Sequence, residues 1–232
     1  RSPAGRPARP PCKRNATRMK SKTSQLLFAY WNEVRRDRLA PRRFEIEPSR
    51  ITPLLAETFI LERLDSETYR YRLAGTRMCE QFETELRGSN FLDGWSSDDR
   101  LTLARQLQAA ATQGGVSVAT FDTVTLGTRL ATYECILLPL LHTREHVDRF
   151  LGAMTQVSSA EATLAGEQRT VTRRLTGVEM VWPDGKPHAV VASSNRQVPF
   201  LPHVRNARIV RSDRRQFRVY EGGLGKSDPK DA

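Results

Sequence analysis

The sequence predicts an α+β domain built on a five-stranded antiparallel sheet with helices packed on one face. Three observations predict it. Residues 69–73 alternate Tyr, Arg, Tyr, Arg, Leu, the period of a strand with one wet face. Leu103, Ala104, Leu107, Ala110 and Ala111 form a single helical stripe. Residues 116–157 are rich in Val and Thr and are broken only by short turn signals. The chain has 232 residues, of which 38% are hydrophobic and 27% charged. That balance allows a packed core and rules out wholesale disorder.

Residues 1–22 read as a disordered basic leader. They hold eight basic side chains, no acid and four prolines. The leader supplies +8 of the net charge of +11, so the rest of the chain carries only +3. A body so near neutral lacks the broad basic face of a duplex binder. Met19 stands just before the first apolar periodicity and is expected to be the natural start, with residues 1–18 as upstream sequence.

Residues 23–40 follow as an N-terminal amphipathic helix and its exit. Leu27, Trp31 and Val34 recur at helical spacing with Tyr30 beside them, and Pro41 stops the helix. An aromatic stripe of this kind must pack on the domain or on a second copy of itself. Leu27, Tyr30, Trp31 and Val34 are the expected homodimer interface.

Residues 41–160 make the main domain. A short helical turn spans 47–56. Residues 58–64 read as a strand with Phe59 and Leu61 on one side. Asp65-Ser66-Glu67 turns the chain into the second strand, where Tyr69, Tyr71 and Leu73 share a face, and Gly75 ends it. Residues 76–82 are a short helix. After the loop at 88–94, Ser97 is the expected N-cap of the long helix, Asp98 and Asp99 suit its first turn, and Gly114-Gly115 closes it. Three strands complete the sheet, at 116–126, 130–141 and 150–157, with a charged loop at 143–148. Residues 161–176 are polar and read as a linker, and residues 177–232 as an extension of unknown fold with a last short strand near 217–220.

Several chemistries are excluded or weakened. The longest apolar run, 135–141, contains Pro139 and falls far short of the roughly 20 residues of a membrane span. No apolar signal segment opens the chain, so a cytoplasmic location is expected. Cys12, Cys79 and Cys135 show no ligand-like spacing, which argues against a disulfide framework or a zinc site. His142-Thr143-Arg144-Glu145-His146 matches a zinc-peptidase pattern, but that pattern needs a helix and here falls in a hairpin loop. Phosphate loops, dinucleotide fingerprints and nucleophile elbows are absent from the sequence. No catalytic residue and no metal ligand is expected. Arg205, Arg208, Arg211, Arg214, Arg215 and Arg218 form a second basic cluster, read first as a solvated face. The alternative is a nucleic-acid-associated regulator that uses this segment.

Two stretches carry a family resemblance. Tyr69-Arg70-Tyr71-Arg72-Leu73-Ala74-Gly75-Thr76 and Gly88-Ser89-Asn90-Phe91-Leu92-Asp93 resemble the second-strand and loop motifs of a bacterial, mostly alphaproteobacterial, family of single-PAS-domain proteins. Tyr30-Trp31, and Phe217 through Gly222-Gly223, resemble its flanking signatures, and the likeness covers roughly residues 23–160. The resemblance implies a PAS fold and a sensory or regulatory role without an output enzyme. It implies action through a signalling protein such as a histidine kinase or its regulator, and a pocket between the sheet and the long helix. Tyr71, Met78, Phe82, Leu107, Tyr133, Cys135 and Met154 are the residues expected around such a pocket; the same set also reads as plain core. Departures from PAS patterns disfavour two cofactors. Asn90 is followed by Phe91 rather than the reactive Cys of flavin photoreceptors, and all four histidines lie after residue 141, away from a haem-ligating position. The cofactor, if any, stays open.

Overall fold

The computed structural model describes residues 19–142, 145–159 and 171–188. Helix α1 (Lys22–Arg35) begins where the Ser21 hydroxyl accepts hydrogen bonds from the Thr23 and Ser24 amides. It ends at Arg36, which takes a left-handed φ of 58°. A 3₁₀ segment, Pro48–Glu57, leads into strand β1 (Thr58–Arg63), which turns into β2 (Tyr69–Ala74). A short helix α2 (Thr76–Gln81) follows, then the long helix α3 (Ser97–Gln113). The expected cap is displaced by one residue: Ser96, not Ser97, accepts the Asp99 amide. Gly114 closes α3 at a φ of 70°, a left-handed turn that suits glycine.

Strands β3 (Val116–Thr125), β4 (Thr128–Leu141) and β5 (Val147–Ser159) form an antiparallel meander. The sheet has six strands in the order β2-β1-β5-β4-β3-β6, with every neighbour antiparallel. The sixth is a correction to the expected count of five. Strand β6 (Thr172–Val181) spans the end of the expected linker at 161–176 and the start of the extension at 177–232. Its pattern is hidden by a bulge. Arg173 and Leu175 are half-buried on one side, the register skips at Thr176, and Val178 and Met180 take up the same face. A period of two broken in mid-strand reads as polar coil. A second irregularity, between Ile60 and Leu61, turns Leu73 outward, so it does not share the buried face of Tyr69 and Tyr71.

The N-terminal helix brings the second correction. Leu27 and Trp31 are fully buried and Tyr30 nearly so, while Val34 packs half-buried against the same core. All of this burial occurs within one chain, because α1 lies against β4 and β5. The Trp31 indole donates to the Pro139 carbonyl at 2.9 Å. The stripe expected at a homodimer interface is therefore spent on the chain's own sheet, whose outer apolar face would otherwise be wet.

Two polar anchors hold α1 there. The buried Glu134 carboxylate accepts the backbone amides of Lys20 at 2.7 Å and Ser21 at 2.9 Å. At the other end the buried Arg35 meets Asp184, in the turn after β6. Residues 177–188 thus fold onto the domain. The basic cluster at 205–218 and the strand expected near 217–220 lie outside the described residues. None of the described helices is long and apolar enough to cross a membrane.

Candidate functional site

Strand alternation sends Glu134 and the residues of its parity toward α1, and Tyr133, Cys135 and Leu137 toward α2 and α3. The second face carries the candidate site. Its wall on one side is the loop before α3, which is laced to the edge of β2. The Tyr71 amide donates to the Ser89 carbonyl, the Gly88 amide to the Tyr71 carbonyl, and the Phe91 amide to the Tyr69 carbonyl, all at 2.8–2.9 Å. The Asn90 side chain accepts the amides of Tyr69 and Leu92. Gly88 enters this loop at a φ of 91°. The lacing explains the 88–93 motif physically: it closes an edge strand and plants Phe91 and Trp95 over the sheet.

From there a chain of rings crosses the interior. Phe59, Tyr71 and Phe91 pack within 5.5–6.1 Å of one another. Phe91 touches Trp95, Trp95 meets Phe121 edge-on at 4.9 Å, and Phe121 stacks on Tyr133 at 5.4 Å. Phe82, just after α2, tilts against Tyr133 at 5.6 Å. At this end Arg173 of β6 places its guanidinium 4.6 Å from the Phe82 ring centre and 5.8 Å from that of Trp95.

The seven residues expected around a pocket all lie in or against the packed core, and neither of two surface clefts, along Lys20–Thr23 and beside His142, is lined by any of them. Tyr71, Met78, Leu107, Tyr133, Cys135 and Met154 are buried, and Phe82 is half-buried. Cys135 and Met154 are direct partners across β4 and β5. Phe59, Phe91, Trp95, Phe121 and Arg173 belong to the same compartment and are not in that set. Phe121 was legible in the alternation of β3. Arg173 was not, because its strand was not legible.

Polar satisfaction within the compartment is uneven. The Trp95 indole donates to the Phe91 carbonyl at 2.9 Å. The Tyr71 hydroxyl, fully buried beside the Arg173 guanidinium, has no acceptor. Burial pushes its phenol well above the usual range, and the positive charge of Arg173 offsets this only in part. The hydroxyl therefore keeps its proton and remains a donor. Burial likewise pushes the Cys135 thiol up, which keeps it neutral and unreactive.

Two surface clefts lie elsewhere. One, of about 520 Å³, runs along Lys20–Thr23 and the ends of β4 and β5. The other, of about 500 Å³, is polar and holds His142, His146, Asp65, Asp148 and Arg149. His142 follows β4 and His146 precedes β5, so the zinc-peptidase pattern has no helix to carry it. Among the described residues no cluster of three His, Cys, Asp or Glu side chains is placed to hold a metal ion.

Neither the comparison with curated proteins nor that with solved structures found a match. A family model described as a PAS domain matches residues 19–155, from the anchor of α1 through most of β5. Strand β6 lies beyond the matched segment. The chain carries the antiparallel sheet, α2 and α3 on one face and the family's own sequence pattern over more than half its length, and it belongs to the PAS domain family.

Proposed function

We propose that this protein is a regulatory PAS module that acts by binding rather than by catalysis. A small ligand is held in the aromatic compartment, and a partner protein, such as a histidine kinase or its regulator, reads the result. The observation that carries the ligand half is the Tyr71 hydroxyl, a donor sealed in the interior without an acceptor. A buried polar group without a partner is costly, and native proteins keep few of them. The compartment around it is mostly aromatic with few polar groups, the composition of a small-molecule site. A ligand that prefers one arrangement of these rings shifts the population toward it, and that shift is the signal.

Native mass spectrometry of the purified chain tests the ligand half. A retained adduct of defined mass, weakened by Tyr71→Phe, is the expected result. A bare protein overturns the ligand and leaves a module that works by protein contacts alone.

A further inference from the structure

We infer that Arg173 makes the compartment selective for a ligand that bears a carboxylate on a flat apolar body. This rests on the ligand-binding reading above and names the chemical class. Arg173 lies on β6, beyond the segment that defines the family match, so the selectivity belongs to this chain's added strand.

The side chain is placed for an anion and lacks one. Its neighbour Arg174, on the opposite face, reaches the Asp122 carboxylate at 3.4 Å. Among the described residues Arg173 has no ion-pair partner; its guanidinium reaches the Asp93 carbonyl at a long 3.4 Å and lies against the Tyr71 hydroxyl, itself not an anion. The strand beneath it is fixed, because the Arg173 amide donates to the Gly94 carbonyl at 3.0 Å and the Leu175 amide to the Asp99 carboxylate at 3.1 Å. The guanidinium thus stands over two aromatic rings with most of its donors uncommitted. Cation–π contact offsets part of its desolvation, and a carboxylate would complete the planar fork.

Tyr71 supplies the second donor. Its hydroxyl is close enough to feel the Arg173 charge, stays protonated, and has no acceptor. One cation and one neutral donor suit a monoanion; a phosphate dianion would be left half neutralised in an aromatic enclosure. Phe82 marks where the apolar body sits. This ring is only half-buried, follows the six-residue helix α2, and precedes Glu83 at a left-handed φ of 50°. A ligand ring that takes its place would lie between Arg173 and Tyr133. Because β6 carries the anion anchor, occupancy is felt directly by the strand that leads out of the domain.

Titration calorimetry of the full chain tests this, with phenylacetate and indole-3-acetate as probes and their neutral amides as controls. At least one acid should bind, its amide about tenfold or more weakly, in line with the loss of a charged hydrogen bond. Arg173→Gln should weaken the acid by a similar factor and leave amide binding unchanged, with Arg173→Lys in between. The acid–amide comparison on wild type needs no variant to fold. Equal binding of acid and amide, an unaffected Arg173→Gln variant with a native melt, or no binding of either acid overturns the inference. A neutral adduct retained in native mass spectrometry, beside unbound acids, would overturn the carboxylate class alone and leave the ligand-binding module standing. An empty compartment in both experiments would remove the module reading itself.

Discussion

Arg35 and Asp184 stand 149 positions apart and meet in a two-pronged ion pair, with Nη2 to Oδ1 at 2.8 Å and Nη1 to Oδ2 at 3.0 Å. The arginine is buried at the end of α1, over the Trp31 ring, while the aspartate is partly exposed in the turn after β6. One contact therefore clasps the two ends of the domain together.

Asp184→Ala should lower stability by about 1–3 kcal/mol, below the range for a fully buried pair because Asp184 is partly in water. Hydrogen bonding from the Arg35 guanidinium holds the Asp184 carboxyl below the usual carboxylate range. A depressed folded pKa means that the contribution is complete above the unfolded value near pH 4 and fades as pH falls through the folded value. Chemical denaturation of wild type and Asp184→Asn should thus differ at pH 7 and converge in acid. A gap that is constant down to the acid limit would contradict this pairing.

The Glu134 carboxylate takes the place of a missing helical turn before α1. Removing it in Glu134→Ala leaves two backbone amides without acceptors and should cost about 1–3 kcal/mol. Hydrogen exchange should quicken at Lys20, Ser21 and the first turn of α1, with Glu134→Gln intermediate. Exchange as slow as in wild type would show that the anchor is idle.

Leu27→Ala should destabilise the chain by about 2–5 kcal/mol, the range for truncation in a packed core. Leu27→Asp and Trp31→Asp should unfold it outright. If sedimentation instead found folded variants with a changed association state, the helix would belong to an interface after all.

Tyr71→Phe should be neutral or stabilising by about 1 kcal/mol in ligand-free protein, because it removes an unsatisfied hydroxyl without opening a cavity. Thermal denaturation checks this. A clear loss of stability would reveal an acceptor for that hydroxyl.

Gly152→Ala should cost about 1–3 kcal/mol, because the added methyl meets the ring of Phe59 on the adjacent strand. That ring is itself locked among Tyr71 and Phe91 and has little room to retreat. A variant with an unchanged melting temperature would show the aromatic compartment to be looser than its packing implies.

Much of the fold was legible in the residues alone because each element carries a local signal. The stripe from Leu103 to Ala111 has helical period, Gly114 stops it, and Tyr69 and Tyr71 alternate with arginines on a strand wet on one side. The seven residues expected around a pocket all fall in or against the core because alternation and helical spacing are the periods that build it. Those signals could place residues on a face without saying what covers it. The side chains of Leu27 and Trp31 announce an apolar stripe equally well for a partner chain or for the chain's own sheet. Only the lie of α1 across β4 and β5, with the indole on Pro139, decided between them. Strand β6 was invisible for a different reason: the bulge at Thr176 breaks its period, and its strand character comes from pairing with β3. With that strand went Arg173, the Arg35–Asp184 clasp and the closure of the site. Composition and periodicity determined an antiparallel sheet with helices packed on it, and two motifs carried the resemblance to a family. Long-range pairing, which no local period encodes, decided which faces are covered, where the chain's two ends meet and which charge looks into the aromatic interior.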